Sequence, residues 1–323
     1  MANASKPIVA VTLGDPWGVG PEVLAAGLSL PAVQRAGRFV VFGDTATLER
    51  AAMLLGLRLP RKLELVQIGL SPHGGRPGRP PKGGGSHAIA YLEAAVEAAL
   101  ASEVEALCTA PIHKALVMAA GFRHAGHTDY LAERLGSGRA VMLLAGPTLR
   151  VALATVHVPL REVADRLTRE GLVETLAILS HGLRRFYAIP RPRIAVCGLN
   201  PHAGESGLLG DEELRVIGPA VRLARRRGIL AEGPLPGDAL FATAARTQRW
   251  DAILAMAHDQ GLGPLKALDF ERAINVTLGL SIPRSSPDHG VAYDIAGKGQ
   301  ANPRSMVEAL LAAARMAKAA RRP

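Results

Sequence analysis

The residues with the clearest chemical potential lie in one stretch, Ala255-Met256-Ala257-His258-Asp259-Gln260-Gly261-Leu262-Gly263-Pro264-Leu265-Lys266. An apolar run over Ala252–Ala257 reads as a buried strand, and it ends in ionisable groups. Ligands of α/β proteins bind where strands end, so such a tip is an address for chemistry. There His258 can bind a metal, Asp259 can orient it or move a proton, and Lys266 can hold an anion. The plainer alternative is a core strand followed by a polar loop. Three more apolar runs end in histidine-bearing tips. Glu105–Thr109 leads to His113-Lys114, Leu149–Val156 to His157, and Arg193–Gly198 to Asn200-Pro201-His202-Ala203-Gly204-Glu205. One histidine at a strand end is ordinarily a satisfied structural residue. Several at equivalent ends are harder to dismiss, because the tips of a parallel sheet gather on one edge.

The elements that must position these tips alternate along the chain. Lys6–Leu13 reads as a strand and runs into Gly14-Asp15-Pro16-Trp17-Gly18-Val19-Gly20-Pro21-Glu22. This is a constrained loop that presents Asp15 and backbone N–H groups, and Pro21 suits the first turn of a following helix. It matches neither Gly-x-Gly-x-x-Gly nor a P-loop. Further strands are expected over Phe39–Gly43, Leu63–Ile68, Ala140–Ala145 and Ala273–Leu280. Helical periodicity covers Ala46–Leu55, Ala88–Ala101, Arg161–Tyr187 and Glu212–Arg227. Ser71–Gly85 is rich in Gly, Pro, Arg and Lys and reads as a mobile surface loop, not a domain linker. Gly126-His127-Thr128 looks like a helix start, with Thr128 as cap and a first turn able to receive an anion. Gly237-Asp238 opens another helix, where Asp238 reads first as a cap and second as an acid–base group. Asn302-Pro303 signals the start of the last helix, Asn at the cap and Pro at the first position. No internal repeat is present. Strand and helix in alternation imply an α/β architecture, a mostly parallel sheet with helices on both faces.

Composition narrows the function classes. At 323 residues, 48% hydrophobic and 20% charged, the chain has enough apolar material for a large core or two lobes and too little charge for disorder. No apolar run approaches the roughly 18–20 residues needed to span a bilayer. The N-terminus lacks a signal-peptide layout, so a cytoplasmic location and no membrane partner are expected. The two cysteines, Cys108 and Cys197, sit in strand-like runs and read as reduced and buried. The net charge of +10 raises the question of nucleic acid. The basic residues are scattered, however, and aromatics are only 4%, which leaves few stacking platforms. No nucleic-acid partner is expected; the positive background suits small anionic substrates.

Six motifs in order resemble the 4-hydroxythreonine-4-phosphate dehydrogenase family of vitamin B6 biosynthesis. They are Gly14-Asp15-Pro16 with Gly18 and Gly20-Pro21-Glu22; Gly126-His127-Thr128; Thr155-Val156-His157-Val158-Pro159-Leu160; Gly198-Leu199-Asn200-Pro201-His202-Ala203-Gly204-Glu205; His258-Asp259-Gln260-Gly261 with Lys266; and Ser286-Pro287-Asp288-His289-Gly290 with Ala296-Gly297-Lys298-Gly299. The first also looks like the Gly-Asp-Gly-Ile-Gly-Pro-Glu loop of isopropylmalate and isocitrate dehydrogenases. The resemblance implies a two-lobed α/β/α, isopropylmalate dehydrogenase-like, non-Rossmann fold, with all of residues 1–323 forming one catalytic unit around an interlobe cleft. It implies a homodimer whose metal site is shared between subunits. It implies NAD, or NADP, as cofactor, and a divalent metal: zinc first, with magnesium or cobalt as alternatives.

By position, the resemblance makes His157, His202 and His258 the metal ligands, and places Lys266 with them in the catalytic set. It makes His127, Thr128, Lys266, Asn275 and Arg284 the positions that bind a small phosphorylated hydroxy amino acid. The implied reaction is oxidation and decarboxylation of 4-phosphooxy-L-threonine to 3-amino-2-oxopropyl phosphate. These residue types suit it. Three neutral imidazoles suit zinc and leave a coordination position open, and Arg can grip phosphate or carboxylate in a two-pronged way. His289 is expected to hold its own loop or lie near the cofactor, and His113, where relatives usually carry Asn, is expected to be structural. His73, His87, His124 and His181 are expected to be solvated. Trp17, Ala257, the Ile282-Pro283 order and Val291 depart from the family pattern. They leave room for another substrate on the same fold, such as threonate or erythronate 4-phosphate or an aromatic cis-dihydrodiol.

Overall fold

A computed structural model describes residues 5–69, 74–124 and 126–321. Its strands, in chain order, are β1 (Ile8–Thr12), β2 (Arg38–Gly43), β3 (Glu64–Gln67), β4 (Ala106–Thr109), β5 (Gly136–Ala145), β6 (Arg150–Leu153), β7 (Arg193–Cys197), β8 (Leu230–Leu235), β9 (Ala252–Ala255), β10 (Ile274–Leu280) and β11 (Arg284–Pro287). The chain divides into two compact units, one ending at Arg139 and resuming at Leu280, the other Ala140–Gly279. The chain thus leaves the first unit once and returns to it, so no single sequence boundary separates the two.

In the first unit the strand order is β3-β2-β1-β4-β11, every pairing parallel. The central strands β1 and β4 are nearly all apolar: Val9, Ala10, Val11, Leu107 and Cys108 are fully buried. Such continuous apolar runs are what a sheet covered on both faces requires. One core of this unit packs Leu92, Ala95 and Val96 of the helix Gly85–Leu100 against Ala10, Phe42 and Leu107 of the sheet. In the second unit the order is β10-β5-β6-β9-β7-β8. Here β5 and β6 pair antiparallel, and β6, β9, β7 and β8 run parallel. Its core joins Val151, Ala195, Ile253 and Ala255 of the sheet to Leu240, Phe241, Leu262 and Leu265 of two helices. The expected mostly parallel α/β architecture is what forms.

Several local expectations are corrected. β8 and β11 were not expected, since Gly-Pro in one and Arg-Ser-Ser-Pro in the other hide the apolar signal. The pattern over Arg161–Tyr187 splits into a 3₁₀ turn, a short helix and the helix Arg169–Tyr187, because the Thr168 side chain accepts from Gly171 N and starts a new helix. The segment Glu212–Arg227 begins with a π turn over Glu213–Ile217 before the helix Gly218–Arg226. The last helix begins at Arg304, and Asn302 Oδ1 accepts from Arg304 N at 3.0 Å. Thr128 does not cap its helix: the capping residue is Gly126, with no side-chain hydrogen bond.

The described part of the Ser71–Gly85 loop is tethered, contrary to the mobile loop expected. Trp17 is buried, its carbonyl accepts from Gly78 N at 2.8 Å, and its indole lies against Gly75 and Gly84 so closely that a Cβ on either would collide with it. Residues 71–73, His73 among them, lie outside the described residues.

Candidate functional site

In the second unit the histidine tips come from three neighbouring strands, β6, β9 and β7. The register pairs Leu153 with Ala255 and Val196 with Leu254, so the three strands end at one level. Past its end, β6 stays tied to β9: Ala154 N donates to Ala255 O at 2.9 Å, and Thr155 Oγ1 donates to Met256 O at 2.7 Å. His157 is thereby held beside His258, with ring centroids 5.8 Å apart. Both line a cavity of about 550 Å³ with Val156, Leu199 and Gln260.

His258 does not sit in a loop. It is the first residue of the helix His258–Asp269, which starts directly where β9 stops. Its Nδ1 meets Asp259 Oδ1 at 2.7 Å. A carboxylate on Nδ1 selects the tautomer that leaves Nε2 as a free lone pair, the usual way a metal-binding imidazole is oriented. Lys266 lies on the same helix, about 12 Å further along its axis.

Gln260 joins the β9 tip to the β7 tip. Its Oε1 accepts from Met256 N and its Nε2 donates to Gly198 O, each at 2.7 Å. The segment after Gly198 is then fixed by Glu213, whose buried carboxylate accepts from Leu199 N at 2.7 Å and Asn200 N at 2.8 Å. From His202 to Ser206 every φ is positive, a left-handed turn costly for non-glycine residues. This strained turn presents His202 outward, its side chain 70% exposed. His202 lines a second cavity, of about 570 Å³, with Asn200, Asp238 and Gln260. The two cavities share Leu199 and Gln260. Asp238 was expected to cap its helix. It instead lies inside the first turn of Gly237–Thr247, makes no cap and faces the His202 cavity.

The structure therefore brings His157 and His258 together, and places His202 on the adjoining cavity. Among the described residues, no group of three or more His, Cys, Asp or Glu converges tightly enough within one chain to hold a metal. The donor chemistry of the first two suits a borderline cation such as zinc.

The substrate positions divide between the units. In the second unit Lys266 is half-buried, and Asn275 on β10 has a buried Oδ1 without a hydrogen-bond partner. In the first unit Arg284 is buried at the start of β11, and its Nε and Nη2 donate to Thr109 Oγ1 at 3.1 and 2.6 Å. Burial lowers its guanidinium to about 10, still charged at neutral pH. His127 opens the helix His127–Leu135 with Thr128 second. Its Nε2 is buried without a hydrogen-bond partner. Burial, with the cations of Arg284 and Lys114 adding to it, holds the His127 imidazole well below its ordinary range. It is neutral at pH 7.

The remaining histidines of the first unit are mostly structural. His113 caps the helix Lys114–Ala119 by accepting from Leu116 N at 3.3 Å, and its ring stacks on Tyr293 at 5.3 Å. Tyr293 OH in turn donates to Asp15. His289 Nδ1 meets Gly290 O at 3.0 Å within its own loop. His87 and His124 are not solvated as expected: the first packs edge-on to Trp17 and near Tyr91, and the second contacts Phe122, Tyr130 and Glu133. His181 is exposed. Sequence reasoning passed over Gln260 as a bridge and gave Glu213 no role, because what each ties together is distant along the chain.

Residues 35–313 match the family model described as "Pyridoxal phosphate biosynthetic protein PdxA". A 4-hydroxythreonine-4-phosphate dehydrogenase from Thioalkalivibrio sulfidiphilus is 45% identical, covering 98% of each chain. The crystal structure of the enzyme of that name from Klebsiella pneumoniae is 37% identical, covers 98% of this chain and 99% of its own, and superposes with a TM-score of 0.88. A terephthalate 1,2-cis-dihydrodiol dehydrogenase from Burkholderia xenovorans is 29% identical, with 93% and 95% coverage and a TM-score of 0.66.

Proposed function

The chain belongs to the PdxA family, and from that premise we propose that it oxidises and decarboxylates 4-phosphooxy-L-threonine to 3-amino-2-oxopropyl phosphate, using NAD or NADP and a divalent metal. The observation that carries the reading is the His157–His258 pair on one cavity, with His258 oriented by Asp259. His157, His202 and His258 would hold the metal, zinc in the first place, with magnesium or cobalt as alternatives. When bound, a divalent cation supplies Lewis acidity toward a substrate hydroxyl and carbonyl, and a nicotinamide accepts the hydride.

The chain's own residues do the rest. Asp259 keeps His258 in the tautomer with a free Nε2. Thr128, Lys266 and Arg284 hold the phosphate or the carboxylate of the substrate. The neutral His127 offers a hydrogen bond without adding charge, and the partnerless Oδ1 of Asn275 is free to accept one from the substrate's hydroxyl or ammonium. Asp238, facing the His202 cavity, is placed to move a proton.

A homodimer that shares this site between subunits is part of the same reading. In its favour, Leu160 and Leu208, close in sequence to His157 and His202, are 81% and 82% exposed, apolar surface that a second copy would cover. A cytoplasmic setting agrees with two free buried thiols. No helix among the described residues is long and apolar enough to cross a membrane.

The likeness to the dihydrodiol dehydrogenase favours a second reading on the same residues: an aromatic cis-dihydrodiol, or a sugar-acid phosphate such as threonate or erythronate 4-phosphate. The buried Arg284 weighs toward a phosphorylated substrate. NADH formation with each candidate substrate, in the presence of zinc, magnesium or cobalt, decides between them. The expected result is turnover of 4-phosphooxy-L-threonine; folded protein that turns over only another substrate would overturn the assignment.

A further inference from the structure

We propose that Lys114 is a further substrate-binding residue, the second cation of a phosphate pocket formed with His127, Thr128 and Arg284. This rests on the reading above that the pocket takes the substrate's phosphate.

The argument begins with placement. Lys114 is the first residue of the helix Lys114–Ala119, just past the β4 tip. His113 fixes that start through its bond to Leu116 N and its stack on Tyr293. The lysine side chain lies against the start of the helix His127–Leu135: a Cβ added to Gly126 would stand 3.6 Å from Lys114 Cε. Lys114 and Arg284 are also the two cations whose charge reaches the His127 ring. All of these residues belong to the first unit.

Charge balance shows what is needed. A phosphate monoester carries about −1.5 to −2 at neutral pH. The uncapped first turn of His127–Leu135 offers N–H groups and a fraction of a positive charge. His127 is neutral, and its buried Nε2 has no hydrogen-bond partner. Arg284 contributes one full charge, but the Nε/Nη2 edge of its guanidinium is occupied by Thr109 Oγ1. Within the first unit Arg284 is the one cation given to the phosphate above, and Lys114, beside the same helix start, supplies a second. Its side chain makes no hydrogen bond or ion pair among the described residues, and it is exposed enough to swing onto an incoming anion.

The test compares wild type, Lys114→Met and Lys114→Arg. With 4-phosphooxy-L-threonine, kcat/KM of K114M should fall roughly 10- to 100-fold, mainly through KM, the range of one charge-assisted contact. With unphosphorylated 4-hydroxy-L-threonine kcat/KM should not change, and K114R should recover most of the loss. Calorimetric titration with inorganic phosphate should show weaker binding to K114M by a similar factor. An equal fall with both substrates, or an unchanged KM for the phosphorylated one, overturns the proposal. If wild type turns over no phosphorylated hydroxy amino acid, the proposed function fails, and the phosphate titration still decides Lys114. Affinity that is the same in wild type and K114M, or absent from both, rejects its role.

Discussion

The two units differ in how the ionisable groups just past their strand tips are used. In the first, acids at the strand tips are spent internally. Asp15 accepts from Trp17 N and from Tyr293 OH, Asp44 accepts from Thr47 N, and Glu22 accepts from Gly297 N and Gly299 N. All three are buried. Beside these paired acids the same unit holds the buried cation Arg284, the exposed Lys114 and an uncharged His127. In the second unit the tips turn outward. Asp259 is fully exposed, His202 70% exposed, and the leucines at 160 and 208 stand in the open. The first unit is a frame whose acids are paired internally, and in the proposed function its cations take the substrate's phosphate. The second presents imidazoles whose full purpose needs a cation and, in the proposed function, a second copy. Preformed frames lower the ordering cost of binding, whereas an outward site gains rigidity only when filled.

The sharpest way to break this contrast is His258→Ala. If the second unit's imidazoles are the metal ligands, turnover falls at least about 100-fold and bound zinc per chain drops, while circular dichroism is unchanged. Unchanged zinc content would remove His258 from the site. Asp259→Asn should act in the same direction but more weakly, roughly 10- to 100-fold in metal affinity, because it disturbs only the orientation of the ring.

The complementary test in the first unit is Glu22→Gln. Its carboxylate serves two backbone N–H groups, so the substitution should cost about 1–3 kcal/mol of stability in chemical unfolding. Metal content should stay untouched. A loss of metal with no loss of stability would dissolve the distinction between the units.

The smallest expected effect concerns acid. His127 is held neutral in the folded state with its pKa lowered. Below about 6.5, the ordinary imidazole value, the unfolded chain binds a proton that the folded one does not. Stability from this group is therefore present above that pH and falls as the pH drops toward the folded-state value. His127→Gln should flatten the decline in stability below pH 6.5; an identical pH profile would mean that His127 charges in place.

Much of this was legible from residue order. The apolar runs marked most strands, and the histidines at their ends marked the edge where the second unit's site lies. The plainer alternative for the motif around His258, a strand followed by a polar loop, does not form: the motif is the first turn of a helix, because Gly261 and Gly263 are tolerated inside a helix that packs Leu262 and Leu265 into the core. The strands β8 and β11 show no continuous apolar run, since Glu-Gly-Pro interrupts the first and the second is Arg-Ser-Ser-Pro. In β11, Arg284 and Ser285 are buried by neighbours far away in sequence, which no local pattern records.

Residue order by itself determined the alternation of strand and helix, the reduced thiols, the histidine-bearing tips and the family, because periodicity and short motifs are local properties. Tertiary structure alone decided that β6, β9 and β7 are neighbours, that Gln260 and Glu213 anchor the His202 turn, and that Trp17 ties down residues 74–85. It alone set Lys114 beside a neutral His127. The physical reason is the same throughout: charge state, hydrogen-bond partners and burial depend on which atoms meet in space, and in each of these cases those atoms come from distant parts of the chain.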